Sequence, residues 1–242
     1  MSPRWAYAAA AAAGLTLLAL PLAATSYQTH ILILIAFYGV LALAWNVLGG
    51  MAGQISLGHS LFIGIGAYVS TILYLWLGIS PWLGMIASAV LGAAVGTALG
   101  YVVFHRRLTG IYFALVTLAF AEMAYYLVSN LDALGASNGL SIPPASSPAS
   151  FQFSSKTAYY YVALGLLAVT VAVSLAIRRS RLGYLLSAIR QNERAAAALG
   201  INVVAGKLAA AAISGALAAA AGTFYAQYLL FIDPDSLLGI SF

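Results

Sequence analysis

This sequence predicts an all-α fold, a polytopic transmembrane helical bundle of about seven spans, and three observations carry that reading. The 242 residues are 63% hydrophobic and only 6% charged. Several apolar runs each approach the roughly 20 helical residues that cross a bilayer. Those runs lack the alternation of apolar and polar residues that a membrane barrel needs, so helices must satisfy the backbone inside lipid. With no cysteine, the chain has neither disulfides nor thiolate metal sites, and its net charge of +5 requires no nucleic acid if the charges flank membrane helices.

Taken in order, the expected spans are Trp5 to Ala24, Ile31 to Leu48, Leu61 to Leu77, Trp82 to Phe104, Ile111 to Val128, Ala158 to Ile177 and Leu208 to Ile232. They form one transmembrane domain over residues 1–242. The first run follows Arg4 and ends in Pro21-Leu22-Ala23-Ala24, which also suits a signal peptide, but such peptides have apolar cores of only about 7 to 15 residues. Threading the chain with its N-terminus in the cytoplasm places Arg4, His105 to Arg107 and residues 178–207 inside, leaving Lys156 outside. Basic residues prefer the cytoplasmic side, so this is the expected orientation. Trp82, Tyr112, Tyr159, Tyr160, Tyr161 and Tyr228 sit near span ends, where amphipathic rings meet headgroups. The outward connection from Ser129 to Thr157, rich in Ser, Pro, Gly and Ala, is expected to lie over the external face without a packed core.

Small residues recur at four-residue spacing. Gly92, Gly96 and Gly100 share one face of the fourth span, a pattern that lets helix backbones approach closely in lipid. Gly49, Gly53, Ser56, Ser60 and Gly64 repeat it around the third. There the stretch Gly49 to Tyr68 also carries Gln54 and His59, and polar, glycine-broken backbone at membrane depth survives only inside protein or along a wet cavity. Gln54, Ser56 and His59 are therefore candidates for a translocation path; the competing reading is a plain turn between two spans. Glu122 is the one acid inside a span, expected to face the bundle interior in a hydrogen-bonded role or to mark the path.

The charge is concentrated elsewhere. Arg178, Arg179, Arg181, Arg190, Glu193, Arg194 and Lys207 are seven of the 15 charged residues, all within residues 178–207. Read as a helix ended by Gly200, the run around Gly183 to Gly200 places Leu182, Leu186, Ile189, Ala196 and Leu199 near one stripe and Arg190, Glu193 and Arg194 on the other side. Its alanine-rich face suits docking into a protein groove better than burial in lipid. No phosphate loop, zinc-protease motif or acidic cluster occurs, and the three histidines lie in separate segments, so no catalytic constellation is legible.

At these residues the chain resembles a known family. Glu193 to Gly200, Glu-Arg-Ala-Ala-Ala-Ala-Leu-Gly, is similar to the coupling-helix signature of ABC-importer permeases: Ala195, Ala196 and Gly200 keep its spacing, and Glu193 stands one position early. The longer string Ala188 to Asn202, together with Gly53 to Tyr68 and Thr117 to Glu122, resembles the LivM-type permeases of branched-chain amino-acid importers. Gly135 to Leu140 resembles a further family segment, with Ala136 where a second glycine is usual. The resemblance implies a bacterial inner-membrane subunit that is not itself an enzyme. It implies a second permease chain of LivH type, two cytoplasmic ATPase subunits that hold ATP and Mg, and an external substrate-binding protein. Arg190, Asn192, Glu193, Ala195, Ala196, Leu199 and Gly200 would then form the ATPase-coupling helix, narrowed by the resemblance to about Ser187 to Gly200, with no cofactor on this chain. The family continues into further helices past the region matching Tyr225 to Phe242, so the chain is expected to be incomplete and, without those helices, to assemble poorly. A self-sufficient channel or secondary transporter is the alternative, and it would want more intramembrane charges than Glu122.

Overall fold

The computed structural model describes residues 14, 16–106, 110–145 and 147–239. Half of the expected first span, Trp5 to Ala24, lies outside the described residues. Its described remainder, residues 16–23, is helical. Tyr160 and Tyr161 donate hydrogen bonds to the carbonyls of Leu17 and Leu18 at 2.7 and 3.2 Å.

Six long apolar helices follow. They are α1 (Ser26–Asn46), α2 (His59–Leu77), α3 (Pro81–His105), α4 (Ile111–Ser129), α5 (Lys156–Arg179) and, after two short helices, α8 (Val203–Leu229). Their starts are written in the sequence. Thr25 and Gln28 form a reciprocal capping box on α1, Pro81 opens α3, and the side chains of Ser155 and Asn202 cap α5 and α8. α1 runs on into a π-turn at Val47–Met51, and α2 stops at Gly78, whose φ of 64° is left-handed. The last span ends earlier than expected, because Leu230 turns left-handed and Phe231–Ile232 become a strand.

α8 is the hub, packing on α1, α2 and α3. The contact with α3 is backbone on backbone: a Cβ added at Gly92 would lie 2.5 Å from the Gly215 carbonyl oxygen, and one at Gly96 2.6 Å from that of Ala211. The spaced glycines of α3 thus act in packing, supplying the close van der Waals contact that must replace hydrophobic drive in lipid. A hydroxyl knot fastens three helices at the Gly66 carbonyl, which accepts from Ser70 (2.8 Å), Ser88 (3.2 Å) and Thr223 (2.9 Å).

The 129–157 connection departs from expectation, because it is built into the core. β1 (Leu140–Ser141) pairs antiparallel with β2 (Phe231–Ile232), and the backbone N–H of Ile142 donates to Leu230 at 2.9 Å. Ile142 and Phe151 are fully buried, and the Phe151 ring stacks on Trp82 with centroids 4.0 Å apart. Trp82 Nε1 and Ser80 Oγ bind the carbonyls of Pro148 and Ala149. The aromatics expected at headgroups divide accordingly. Tyr112 and Tyr161 are exposed, whereas Tyr159 and Tyr160 are buried, and Trp82 and Tyr228 stack within the protein.

Ala136, standing where a glycine is usual in the resembling segment, has φ +46°. A left-handed conformation costs an L-residue roughly 1–2 kcal/mol that glycine avoids. Ala136→Gly should therefore raise stability, by about 1 kcal/mol after glycine's larger unfolded-state entropy is offset. Thermal unfolding in detergent checks the direction.

Candidate functional site

The ends of α1, α3 and α5 and the starts of α4 and α8 meet around one apolar floor that includes Val47, Leu48, Phe104, Phe113, Ile177 and Ala210. The charged segment sits on it. It forms two helices rather than the single one expected: α6 (Arg181–Gln191) and α7 (Glu193–Ala198). The break is Asn192, which takes an extended conformation and caps α7 by accepting from the Ala195 N–H at 3.0 Å. An asparagine at a helix start trades one residue of helix for a satisfied orphan donor. Leu186, Ile189 and Ala196 keep the expected buried stripe, but the break turns Leu199 out of it, leaving that side chain 83% exposed. Arg194, Ala195, Ala197 and Ala198 are exposed beside it, and Gly200 ends the turn at φ +84°.

Three contacts fasten this segment to the bundle. Glu193 forms an ion pair with Lys207, the fifth residue of α8. Lys207 is 2% exposed, lies 5.3 Å from the Phe104 ring centroid and has no other carboxylate partner among the described residues. A cation buried there needs a counter-charge, and the carboxylate offsets its burial. Gln54 Nε2 reaches the same Glu193 oxygen at 3.5 Å, and Arg190 Nη1 donates to the Gly50 carbonyl at 2.7 Å. Gly53, at φ +69°, lets the loop pass directly under Arg190, whose Cγ would sit 3.2 Å from an added Cβ. The glycine-rich stretch and the charged segment, about 140 residues apart, are one cluster.

Gln54 thus belongs with Glu193, and Ser56 and His59 belong to a different group. His59 bridges Ser56 Oγ (3.2 Å) and Ser214 Oγ (2.9 Å), and Ser214 donates to the Ala44 carbonyl at 2.6 Å. Trp45 Nε1 binds the Ser56 carbonyl, and Thr117 Oγ1 accepts from the Leu57 N–H at 3.1 Å. A cavity of about 480 Å³ opens beside this group, lined by Tyr38, Trp45, Ser56, His59, Ser60 and Ile63 among others. Glu122 joins neither group. It is half-buried on α4 and has no hydrogen bond or ion pair to any described residue, so the hydrogen-bonded role expected for it is not formed here.

Lys207, Gly50 and Ser214 are the participants that sequence reasoning left without a role. A signal for Lys207 was present: a lysine at the head of a long apolar helix calls for a carboxylate once buried, and Glu193 is the only acid in the charged segment. Ser214 gave none, being one hydroxyl in an alanine-rich helix.

Long apolar helices closed on small residues, with a polar segment pinned across one end, define a polytopic integral membrane protein. The chain belongs to the family described as branched-chain amino acid transport system / permease component, whose model matches residues 27–242. It is 32% identical over 223 residues to the high-affinity branched-chain amino acid transport system permease protein LivM of Salmonella typhimurium, and 33% identical over 224 residues to the protein of the same name from Escherichia coli. Each match takes in 82% of this chain and 52% of the relative, so the chain spans about half the length of the curated relatives it matches. No solved structure matches.

Proposed function

We propose that this chain is part of the membrane-spanning permease of an ATP-driven importer for branched-chain or similar amino acids in the bacterial inner membrane. The observation that carries the reading is the exposed α7 turn, pinned to α8 by Glu193–Lys207 and to the α1–α2 loop by Arg190–Gly50. A short helix with one face outward and its root tied to two spans can transmit movement as a rigid lever. Arg194, Ala195, Leu199 and Gly200 form the surface offered to a cytoplasmic ATPase subunit, and Arg190, Asn192, Glu193 and Ala196 hold it in place. ATP and Mg belong to two such ATPase subunits, and the chain itself carries no hydrolytic chemistry. A second permease chain and an external substrate-binding protein complete the assembly, with the N-terminus of this chain in the cytoplasm, as its basic residues favour.

The cavity beside Ser56 and His59 is the part of the path this chain contributes. Its hydroxyl, imidazole and aromatic lining suits a solute with polar ends and an apolar side chain. Lever and cavity are joined through residues 49–60, so displacement of α7 reaches the path within one short segment.

Gly200→Pro tests the lever. Proline is held near φ −65° and cannot adopt the +84° of Gly200. Substrate-stimulated ATP hydrolysis by the assembled transporter should fall about tenfold or more, equivalent to about 1.4 kcal/mol of lost coupling, while membrane insertion stays at wild-type levels. Unchanged stimulation would remove the lever from the account.

A further inference from the structure

A second cavity, of about 410 Å³, lies at the same end of the bundle, apart from the path cavity, and shares Arg190 and Gly50 with the fastening of the lever. It is lined by Asn46, Gly50, Met51, Arg178, Gly183, Tyr184, Ser187 and Arg190. Two guanidinium groups, two hydroxyls and one amide converge on it, and no carboxylate lines it. Arg190 spends one N–H on the Gly50 carbonyl, and a guanidinium has five. Such a set matches a phosphate oxyanion, which takes several donors and charge-assisted bonds from arginine.

Its position says which phosphate. Asn46 ends α1 and Arg178 lies in the last turn of α5, so the cavity sits where two spans leave the membrane. Val171 and Leu175 precede Arg178 by seven and three residues on one face of α5, and both are exposed. An apolar strip therefore runs from the cavity along the span, the arrangement an acyl chain needs beneath an anchored headgroup. A soluble phosphate would gain nothing from that strip. We propose that this cavity binds the phosphate headgroup of an anionic phospholipid, with an acyl chain along Val171 and Leu175.

The test uses the complete transporter in nanodiscs of phosphatidylcholine with or without phosphatidylglycerol, and native mass spectrometry counts retained lipid. At least one phosphatidylglycerol should stay bound, and Arg178→Gln and Arg190→Gln should each weaken retention about fivefold, the worth of one basic residue near an anionic surface. Ser187→Glu, an exposed position that puts a carboxylate in the cavity, should abolish it, so the test survives if Arg190→Gln folds poorly. Arg179→Gln changes the same net charge outside the lining and should leave retention near wild type. Equal loss in Arg178→Gln and Arg179→Gln would reduce the effect to unspecific attraction and overturn the site. Displacement of the lipid by millimolar inorganic phosphate, or phosphate retained in pure phosphatidylcholine, would overturn the lipid as the ligand.

Discussion

Glu193→Lys should uncouple the transporter and destabilise this end of the bundle together, and Lys207→Glu in the same chain should restore much of both. The pair is asymmetric: Lys207 is buried, whereas the Glu193 side chain is 36% exposed. Stripping the partner from a fully buried ion costs about 3–5 kcal/mol, and the exposure of Glu193 reduces the expectation to roughly 2 kcal/mol. The charge-reversed pair rebuilds the ion pair with the acid on the buried side. Glu193→Lys should lower the thermal midpoint in detergent and cut substrate-stimulated ATPase activity at least about tenfold. Double-mutant rescue of both readouts distinguishes a fastening role from a direct ATPase contact, since reversal would not repair the latter. Gln54→Ala should show a weaker effect in the same direction, because its amide reaches Glu193 at only 3.5 Å.

Gly66→Ala should be the most damaging single-methyl change among the helix-packing glycines. An added Cβ would stand 1.9 Å from the Ala219 carbonyl oxygen, a backbone atom that cannot rotate away. Moving α2 off α8 would also strain the three hydroxyl bonds that converge on the Gly66 carbonyl. Overpacking in a tight core costs about 1–3 kcal/mol, and separating three fastened helices puts this site at about 3 kcal/mol or above. Monodisperse yield on size-exclusion chromatography should collapse. Gly165→Ala on α5 is the control: nothing lies within 4 Å of its added Cβ, so helix propensity alone predicts a neutral or slightly stabilising change. Equal yields from the two variants would mean that α2 and α8 are not packed at backbone contact.

The two sites differ in how far sequence could reach them. Spans were legible because lipid imposes length and hydropathy on each helix separately, and the α3 glycines were legible because their spacing repeats within one helix. Charge density exposed the 178–207 segment, and the resemblance gave Ala195, Ala196 and Gly200 a role to test. The break at Asn192 was harder. Asparagine within an alanine-rich run reads as a weak helix residue until its capping geometry is seen, and that one residue decides that Leu199 faces out. What sequence could not carry was the union of Gln54 with Glu193 and of His59 with Ser214, because periodicity reports faces of single helices and not which faces meet. The outer connection misled through composition. Ser, Pro and Gly suggested an unpacked loop, while Phe151 and Ile142 were the apolar residues that tie it to Trp82 and β2.

Glu193's place one position ahead of the usual coupling signature has a physical reading here. Its carboxylate turns back to Lys207 and leaves the exposed face of α7 to Arg194, Ala195, Leu199 and Gly200. In the proposed lever, the acid would be the tether and the neighbouring small residues the presented surface.

These 242 residues contain no cysteine, so a single cysteine placed here is the only one within them. The most direct measurement puts a photo-crosslinker on Leu199→Cys in the assembled transporter and compares it with the same probe on Gly78→Cys, at the opposite end of α2. A crosslink from position 199 to the ATPase subunit, changing in yield with nucleotide, is expected, and none from position 78. No ATPase crosslink at 199, or equal crosslinking at both positions, would contradict the lever.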